Sequence, residues 1–156
     1  MKKIAFDDPF KKKNTIDDMH LYDITRHYEY LDNIIHNKDS SYNKIISSEL
    51  KKKYHSYKSQ DKLKKRYDKE HYISYNEMLH KLYECNLKCY YCECSLYLIY
   101  KNKNEGTQWS LERFDNHLGH YKDNTCISCL KCNLQRRTDN HEYFKQGKQL
   151  KIVKHA

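Results

Sequence analysis

Cys89-Tyr90-Tyr91-Cys92 and Cys129-Leu130-Lys131-Cys132 are two Cys-x2-Cys pairs separated by 36 residues, and the text around them decides the fold. A tight turn lets two thiolates grip one tetrahedral ion, and a second such pair completes a closed structural Zn2+ site. All seven cysteines lie between Cys85 and Cys132, an odd number that no closed disulfide framework uses completely. The start, Met1-Lys2-Lys3-Ile4-Ala5-Phe6-Asp7-Asp8, lacks the apolar core of a secretion signal. Metal binding in an intracellular, reducing compartment (cytoplasm or nucleus) is therefore the expectation. Cys126/Cys129 is a competing pair. Cys129/Cys132 is favoured because a helix over 129–137 would place Cys129, Cys132, Asn133 and Arg136 on one face. Cys85, Cys94 and Cys126 then read as small core residues.

Between the pairs, residues 108–114 (Gln-Trp-Ser-Leu-Glu-Arg-Phe) alternate and are bulky enough for a strand, with Trp109 in the core. Residues 115–124 form a polar loop containing Gly119, and residues 125–128 a short second strand. The order is strand, loop, strand, helix. Upstream, Ser74 and Glu77 make a capping box, followed by the apolar stripe Tyr75, Met78, Leu79, Leu82 and Tyr83. Ile24, Tyr28, Leu31 and Ile35 fall at helical spacing, as do Ile46, Leu50, Tyr54 and Tyr57, with a polar break over 37–41. The predicted fold class is α+β. A basic helical region over 1–72, with a loose arm at its start around Pro9 and Lys11-Lys12-Lys13, precedes a metal-clamped unit over 73–156.

Composition narrows the function. With 3 Gly and 1 Pro the chain is neither a turn-rich sandwich nor a glycine-rich nucleotide fold. No apolar run approaches the roughly 20 residues of a membrane span, so no membrane partner is expected. The formal charge of +9 points to an acidic partner, nucleic acid first. An AT-rich genome would also favour the 25 Lys over 5 Arg, so distribution says more than the total. Positions 51–69 carry nine basic and two acidic residues. Lys51, Lys52, Lys53, Lys62, Lys64, Lys65 and Arg66, interleaved with Tyr54, Tyr57 and Tyr67, read as a phosphate-facing patch or as a solvated helix face.

The combination of Cys-x2-Cys, Leu111-Glu112-Arg113-Phe114-Asp115-Asn116, Gly119-His120, Asn124 and Cys-x2-Cys-Asn-x2-Arg resembles the zinc-containing HNH endonucleases, the His-Me finger or ββα-metal group. HNH-type proteins of large DNA viruses are similar also in the flanking text Tyr57-Lys58-Ser59-Gln60-Asp61 and Lys145-Gln146-Gly147-Lys148-Gln149-Leu150. The likeness spans about residues 50–154 and implies metal-dependent hydrolysis of phosphodiester bonds in double-stranded DNA. It implies a Mg2+ or Mn2+ ion held by Glu112 and Asn133, with Asn124 bracing the loop. Where the family has its catalytic histidine this chain has Arg113, and a permanently charged guanidinium cannot be a general base. Arg113 could clamp a phosphate, leaving the base to His120, or else to His117. Asp115-Asn116 reads as an Asx turn or as a metal or phosphate contact. Arg136 and Arg137 read as phosphate contacts, or as favourable charge near a helix C-terminus.

Three functions compete on these residues: an endonuclease, nicking if monomeric and cutting both strands if a homodimer; a zinc-stabilised DNA-binding module that has lost catalysis; and a structural zinc domain that binds protein. The retained set of Glu112, Asn124, Asn133 and Arg136 favours the first.

Overall fold

The computed structural model describes residues 19–150. The arm at the start of the chain lies outside them. The architecture is α+β: five α-helices and one two-stranded antiparallel sheet among the described residues. The helices are α1 (His27–Ile35), α2 (Asn43–Leu63), α3 (Tyr75–Glu84), α4 (Leu130–Arg136) and α5 (His141–Gln149); the strands are β1 (Trp109–Arg113) and β2 (Thr125–Cys129). None of the described helices is long and apolar enough to cross a membrane.

Helix α2 buries Ile46, Leu50 and Asp61 on the stripe that Tyr54 and Tyr57 continue. It stops with a Schellman-type turn. The Arg66 N–H donates to the Asp61 carbonyl at 2.8 Å and the Lys65 N–H to Lys62 at 3.1 Å. Lys65 takes the left-handed conformation (φ 57°) that glycine usually supplies there. Helix α1 is phased differently from its apolar spacing. Its buried face is His27, Tyr30 and Leu31, whereas Tyr28 is exposed and stacks on Tyr83 at 5.1 Å. The reason is polar. The His27 ring lies in the core with Nδ1 accepting from the Leu98 N–H and Nε2 facing the Leu21 carbonyl, both at 3.0 Å, and burial lowers its pKa.

The capping box forms as the sequence predicts. Ser74 Oγ accepts from the Glu77 N–H at 3.1 Å, and the Glu77 carboxylate accepts from the Ser74 N–H at 2.9 Å. Replacing Ser74 by Ala orphans a donor at the start of α3, and about 1 kcal/mol of stability is expected to go with it. A urea titration of the folded protein reads this directly; an unchanged midpoint would mean that packing alone holds α3.

One buried cluster runs from Leu21 to Cys132, so the helical region and the strand–loop–strand–helix unit share a core across residue 72. Trp109 sits in it with Nε1 donating to the Leu98 carbonyl at 3.1 Å. In the sheet Glu112 faces Cys126 and Arg113 faces Thr125 in register. Alternation along β1 sends Ser110 and Glu112 to the α4 side, where they meet Asn133 and Arg136. Leu111 and Arg113 point the other way, and the Tyr57 hydroxyl accepts from the Leu111 N–H at 3.1 Å, tying α2 to the strand.

Candidate metal centre and nucleic-acid face

Two short backbone devices bring the four cysteines together. Residues 88–95 fold into a knuckle closed by the Cys89 N–H on the Cys94 carbonyl and the Glu93 N–H on the Cys89 carbonyl, both 3.0 Å, with Glu93 left-handed at φ 63°. Cys129 ends β2 and caps α4, its Sγ accepting from the Cys132 N–H at 3.3 Å. The sulfurs of Cys89, Cys92, Cys129 and Cys132 all lie within 4.8 Å of one another, and Cys92 and Cys129 are 3.8 Å apart. That is about the edge of a tetrahedron around an ion bonded to sulfur at ~2.3 Å. Backbone amides also point at the sulfurs, the Tyr91 N–H on Cys89 at 3.4 Å among them. The Cys129 thiol beside Cys89 lowers the Cys89 pKa, the direction that favours the deprotonated sulfur a metal ion binds. This quartet could hold a metal ion. Cys126 is not in it; it lies buried 3.9 Å from Glu112 with its pKa raised by burial.

The knuckle also carries aromatic packing. Tyr91 meets Phe144 edge-on at 5.0 Å, Tyr90 meets Phe114 at 5.5 Å, and the Lys145 ammonium sits 3.9 Å over the Tyr90 ring. Gln149 donates to the Tyr91 carbonyl at 3.0 Å. Helix α5 has no buried residue of its own, so these contacts are what seat it.

The loop between the strands is braced by Asn124. Its Oδ1 accepts from the Asp115 N–H at 2.9 Å and its Nδ2 donates to the Asp115 and Gly119 carbonyls at 3.0 and 3.1 Å. Asp115 forms an Asx turn, its Oδ1 accepting from the His117 N–H at 2.9 Å. His117 is exposed. His120 is not: it is 3% exposed, and both oxygens of the buried Asp61 engage it, Oδ1 at 2.7 Å from Nδ1 and Oδ2 at 2.7 Å from the backbone N–H. Asp61 itself is 1% exposed. A carboxylate only accepts, so Nδ1 carries a hydrogen towards Asp61. Gly119 is required beside it, because a Cβ there would stand 2.6 Å from the Arg66 carbonyl and 2.7 Å from Asp61 Oδ2. Sequence reasoning singled out His120 but not Asp61, which is 59 residues away.

The predicted catalytic residues separate onto two sides of β1. Glu112 and Arg136 form a buried ion pair at 2.6 Å, 4% and 2% exposed. The Arg136 guanidinium also donates to the carbonyls of Arg113 at 2.6 Å, Asp139 at 2.8 Å and Phe114. Arg136 is thus an internal clamp on the strand–helix unit, with four of its five N–H donors engaged inside the protein. Burial raises the Glu112 pKa, and its carboxylate is committed to that clamp. Asn133 is half-buried, with Nδ2 donating to Ser110 Oγ at 3.2 Å. As ligands for Mg2+ or Mn2+, which want several free oxygens, Glu112 and Asn133 do not fit in this arrangement. On the opposite side, Arg113 is half-buried and its Nη1 donates to the carbonyls of Asn116 at 3.4 Å and Leu118 at 3.3 Å. Burial, and next the like charge of Arg66, lower its pKa.

Of the basic residues, Lys51, Lys52, Lys62, Lys64, Lys65 and Arg137 are exposed and Arg66 half-buried. Lys52 pairs with Glu49 at 3.0 Å, and Lys62 lies 5.0 Å over the Tyr67 ring. Lys53 departs from the predicted phosphate role: its ammonium donates to the Trp109 carbonyl and lies 4.3 Å from the indole centre. The ammonium is held there by the indole face and that carbonyl together. Comparison with protein-family models, curated proteins and solved structures finds no match.

Proposed function

We propose that the chain is a zinc-organised ββα-metal (HNH-type) module that acts on double-stranded DNA as an endonuclease. The observation that carries this reading is the buried Asp61–His120 pair set in the loop that Arg113 spans. Asp61 orients the His120 ring and holds a hydrogen on Nδ1, which leaves Nε2 as the ring nitrogen for proton transfer with water. Arg113, two residues of backbone away from His120 through the Leu118 carbonyl, supplies the guanidinium that binds the phosphate and the charge that builds on it. Zn2+ fits the four-thiol quartet and would fix the angle between the knuckle, β2 and α4. No hydrolytic step runs through Mg2+ or Mn2+, because Glu112 is closed by Arg136.

That same closure favours a second reading, a DNA-binding module without catalysis. Plasmid cleavage separates the two. Zinc-loaded protein incubated with supercoiled DNA, with and without added Mg2+ or Mn2+, is expected to nick it, and His120→Ala is expected to reduce the rate at least 100-fold, the usual scale of a lost general base. Binding without cleavage under every ion condition would overturn the endonuclease in favour of the binding module. A strict need for added Mg2+, lost in Asn133→Ala, would mean that the Glu112–Arg136 pair opens on DNA.

A further inference from the structure

Asp115-Asn116-His117 and Asp139-Asn140-His141 are one tripeptide written twice, and the fold sets both copies in the lining of one cleft of about 290 Å³. The first copy opens the loop after β1 and the second leads into α5. Each is held by hydrogen bonds to backbone. Asp115 Oδ1 accepts from the His117 N–H, and Asn116 Nδ2 donates to the Arg137 carbonyl at 2.8 Å, tying the loop to the end of α4. Asn140 Oδ1 caps α5, accepting from the Glu142 and Tyr143 N–H groups at 3.0 and 3.1 Å. Phe114 and His141 add an aromatic wall, their half-buried rings 4.3 Å apart and tilted by 37°. Tyr90, edge-on to Phe114 at 5.5 Å, supports that wall from the knuckle.

These bonds leave a defined set of polar atoms open. Among the described residues no hydrogen bond engages Asp115 Oδ2, Asn116 Oδ1, Asn140 Nδ2 or either carboxylate oxygen of Asp139. All but the Asn140 amide are acceptors. Two carboxylates and few donors repel a phosphate, and Arg136 has four donors engaged elsewhere. A metal ion fits no better, because among the described residues only the cysteine quartet brings three or more ligand atoms within 4.8 Å of one another. A flat ring with donors on its edge suits both the wall and the rim.

We infer that the cleft takes a single unpaired nucleobase of a DNA strand, stacked along the Phe114–His141 wall, with guanine the preferred base. Guanine presents N1–H and N2–H2 side by side, two donors that one carboxylate accepts as a fork, and Asp139 has both oxygens open. Thymine presents one donor between two acceptors. The site rests on the nucleic-acid reading above but not on hydrolysis. It names the DNA that this face suits, a duplex with one base out of the stack, since a paired base hides its faces and its Watson–Crick edge. Arg113 adjoins the cleft through its bond to the Asn116 carbonyl, so base and phosphate contacts fall on one loop.

Anisotropy of labelled duplexes titrated with zinc-loaded protein tests this without any cleavage. The duplexes differ at one position: fully paired, with a bulged guanine, or with a bulged thymine. The bulged guanine is expected to bind about tenfold tighter than the paired duplex, within the range of one base stacked on an aromatic ring, and the bulged thymine at most about threefold tighter. His141→Ala removes one ring of the wall from a helix that buries no side chain, and should bring the guanine advantage within about twofold. Asp139→Asn should reduce guanine to the level of thymine; only the Asp139 backbone serves Arg136, so the clamp stays. Equal gains for both bulges in the unmodified protein would mean that the bend of a bulged duplex is read. A guanine advantage that survives both variants would place the base elsewhere, and either result overturns the cleft. If no duplex binds, saturation-transfer NMR with guanosine decides. Transfer lost in His141→Ala would sink the DNA reading and leave the base site standing, whereas no transfer to guanosine would overturn both.

Discussion

Stripping zinc from the loaded protein with a strong chelator is expected to abolish its cooperative fold, lowering the melting temperature by roughly 20 °C or more. A structural Zn2+ site contributes on the order of 10 kcal/mol, and a domain of this size is stable by roughly 5–15 kcal/mol in all. Little else here replaces the ion. Without it, four thiols packed within 4.8 Å must share protons, and the chain between Cys92 and Cys129 loses its anchor at both ends. The loss spreads along particular contacts. Helix α5 buries no side chain and rests on Tyr90, Tyr91 and Phe114 around the knuckle, so its amides should exchange first in hydrogen exchange on chelation. Cys132→Ser should reproduce the collapse. Cys126→Ser should keep one zinc per chain, because Cys126 stands outside the quartet beside Glu112, and this settles the competition between Cys126/Cys129 and Cys129/Cys132. Circular dichroism melts with parallel zinc assay give the readout. A chelated, zinc-free protein melting within a few degrees of the loaded one would refute a structural zinc.

How far the residues announce this arrangement depends on the kind of interaction. Paired cysteines, the Ser74–Glu77 box and the strand–loop–strand–helix order are local, and each is visible at short spacing; the observed β1 and α4 lie within the predicted segments, and β2 runs one residue past its own, to Cys129. What is illegible is the buried polar chemistry. His27 sets the phase of α1 through contacts with Leu21 and Leu98, and a periodicity that counts apolar residues places Tyr28 inward instead. Asp61 ends a helix face that looks solvated by composition, yet it is buried against His120. Residues 93–107 contain no helix or strand, but Leu96, Leu98, Ile99 and Tyr100 reach the interior from turns and isolated bridges, which no repeating pattern encodes. The candidate site was half legible for the same reason: its residue types stand in order along the chain, while their pairing is decided by partners dozens of residues away.

Arg136→Ala is expected to cost about 3–5 kcal/mol, the scale of breaking a buried ion pair from one side. The variant leaves the Glu112 carboxylate buried and uncompensated and orphans the carbonyls of Arg113, Phe114 and Asp139. Arg136→Lys should recover little, since a single ammonium cannot reach four acceptors in one plane. The deficit should also depend on pH with a definite sign. Burial already raises the Glu112 pKa, and removing Arg136 takes away the charge that opposes this. A carboxyl whose folded pKa stands above its unfolded value binds its proton more tightly when folded. Its unfavourable contribution is therefore absent below the unfolded carboxylate pKa, near 4.3, and grows as pH rises towards the folded value. Urea denaturation at pH 7.5 and 5.5, each referred to wild type at the same pH so that any change in zinc affinity cancels, should show a smaller deficit at the lower pH. Pairing Arg136→Met with Glu112→Leu removes both charges and should restore part of the loss, because an apolar pair needs no compensation. A stable Arg136→Ala protein with weakened DNA binding would reverse the assignment, returning Arg136 to the phosphate face where its place after Cys132-Asn133 first put it.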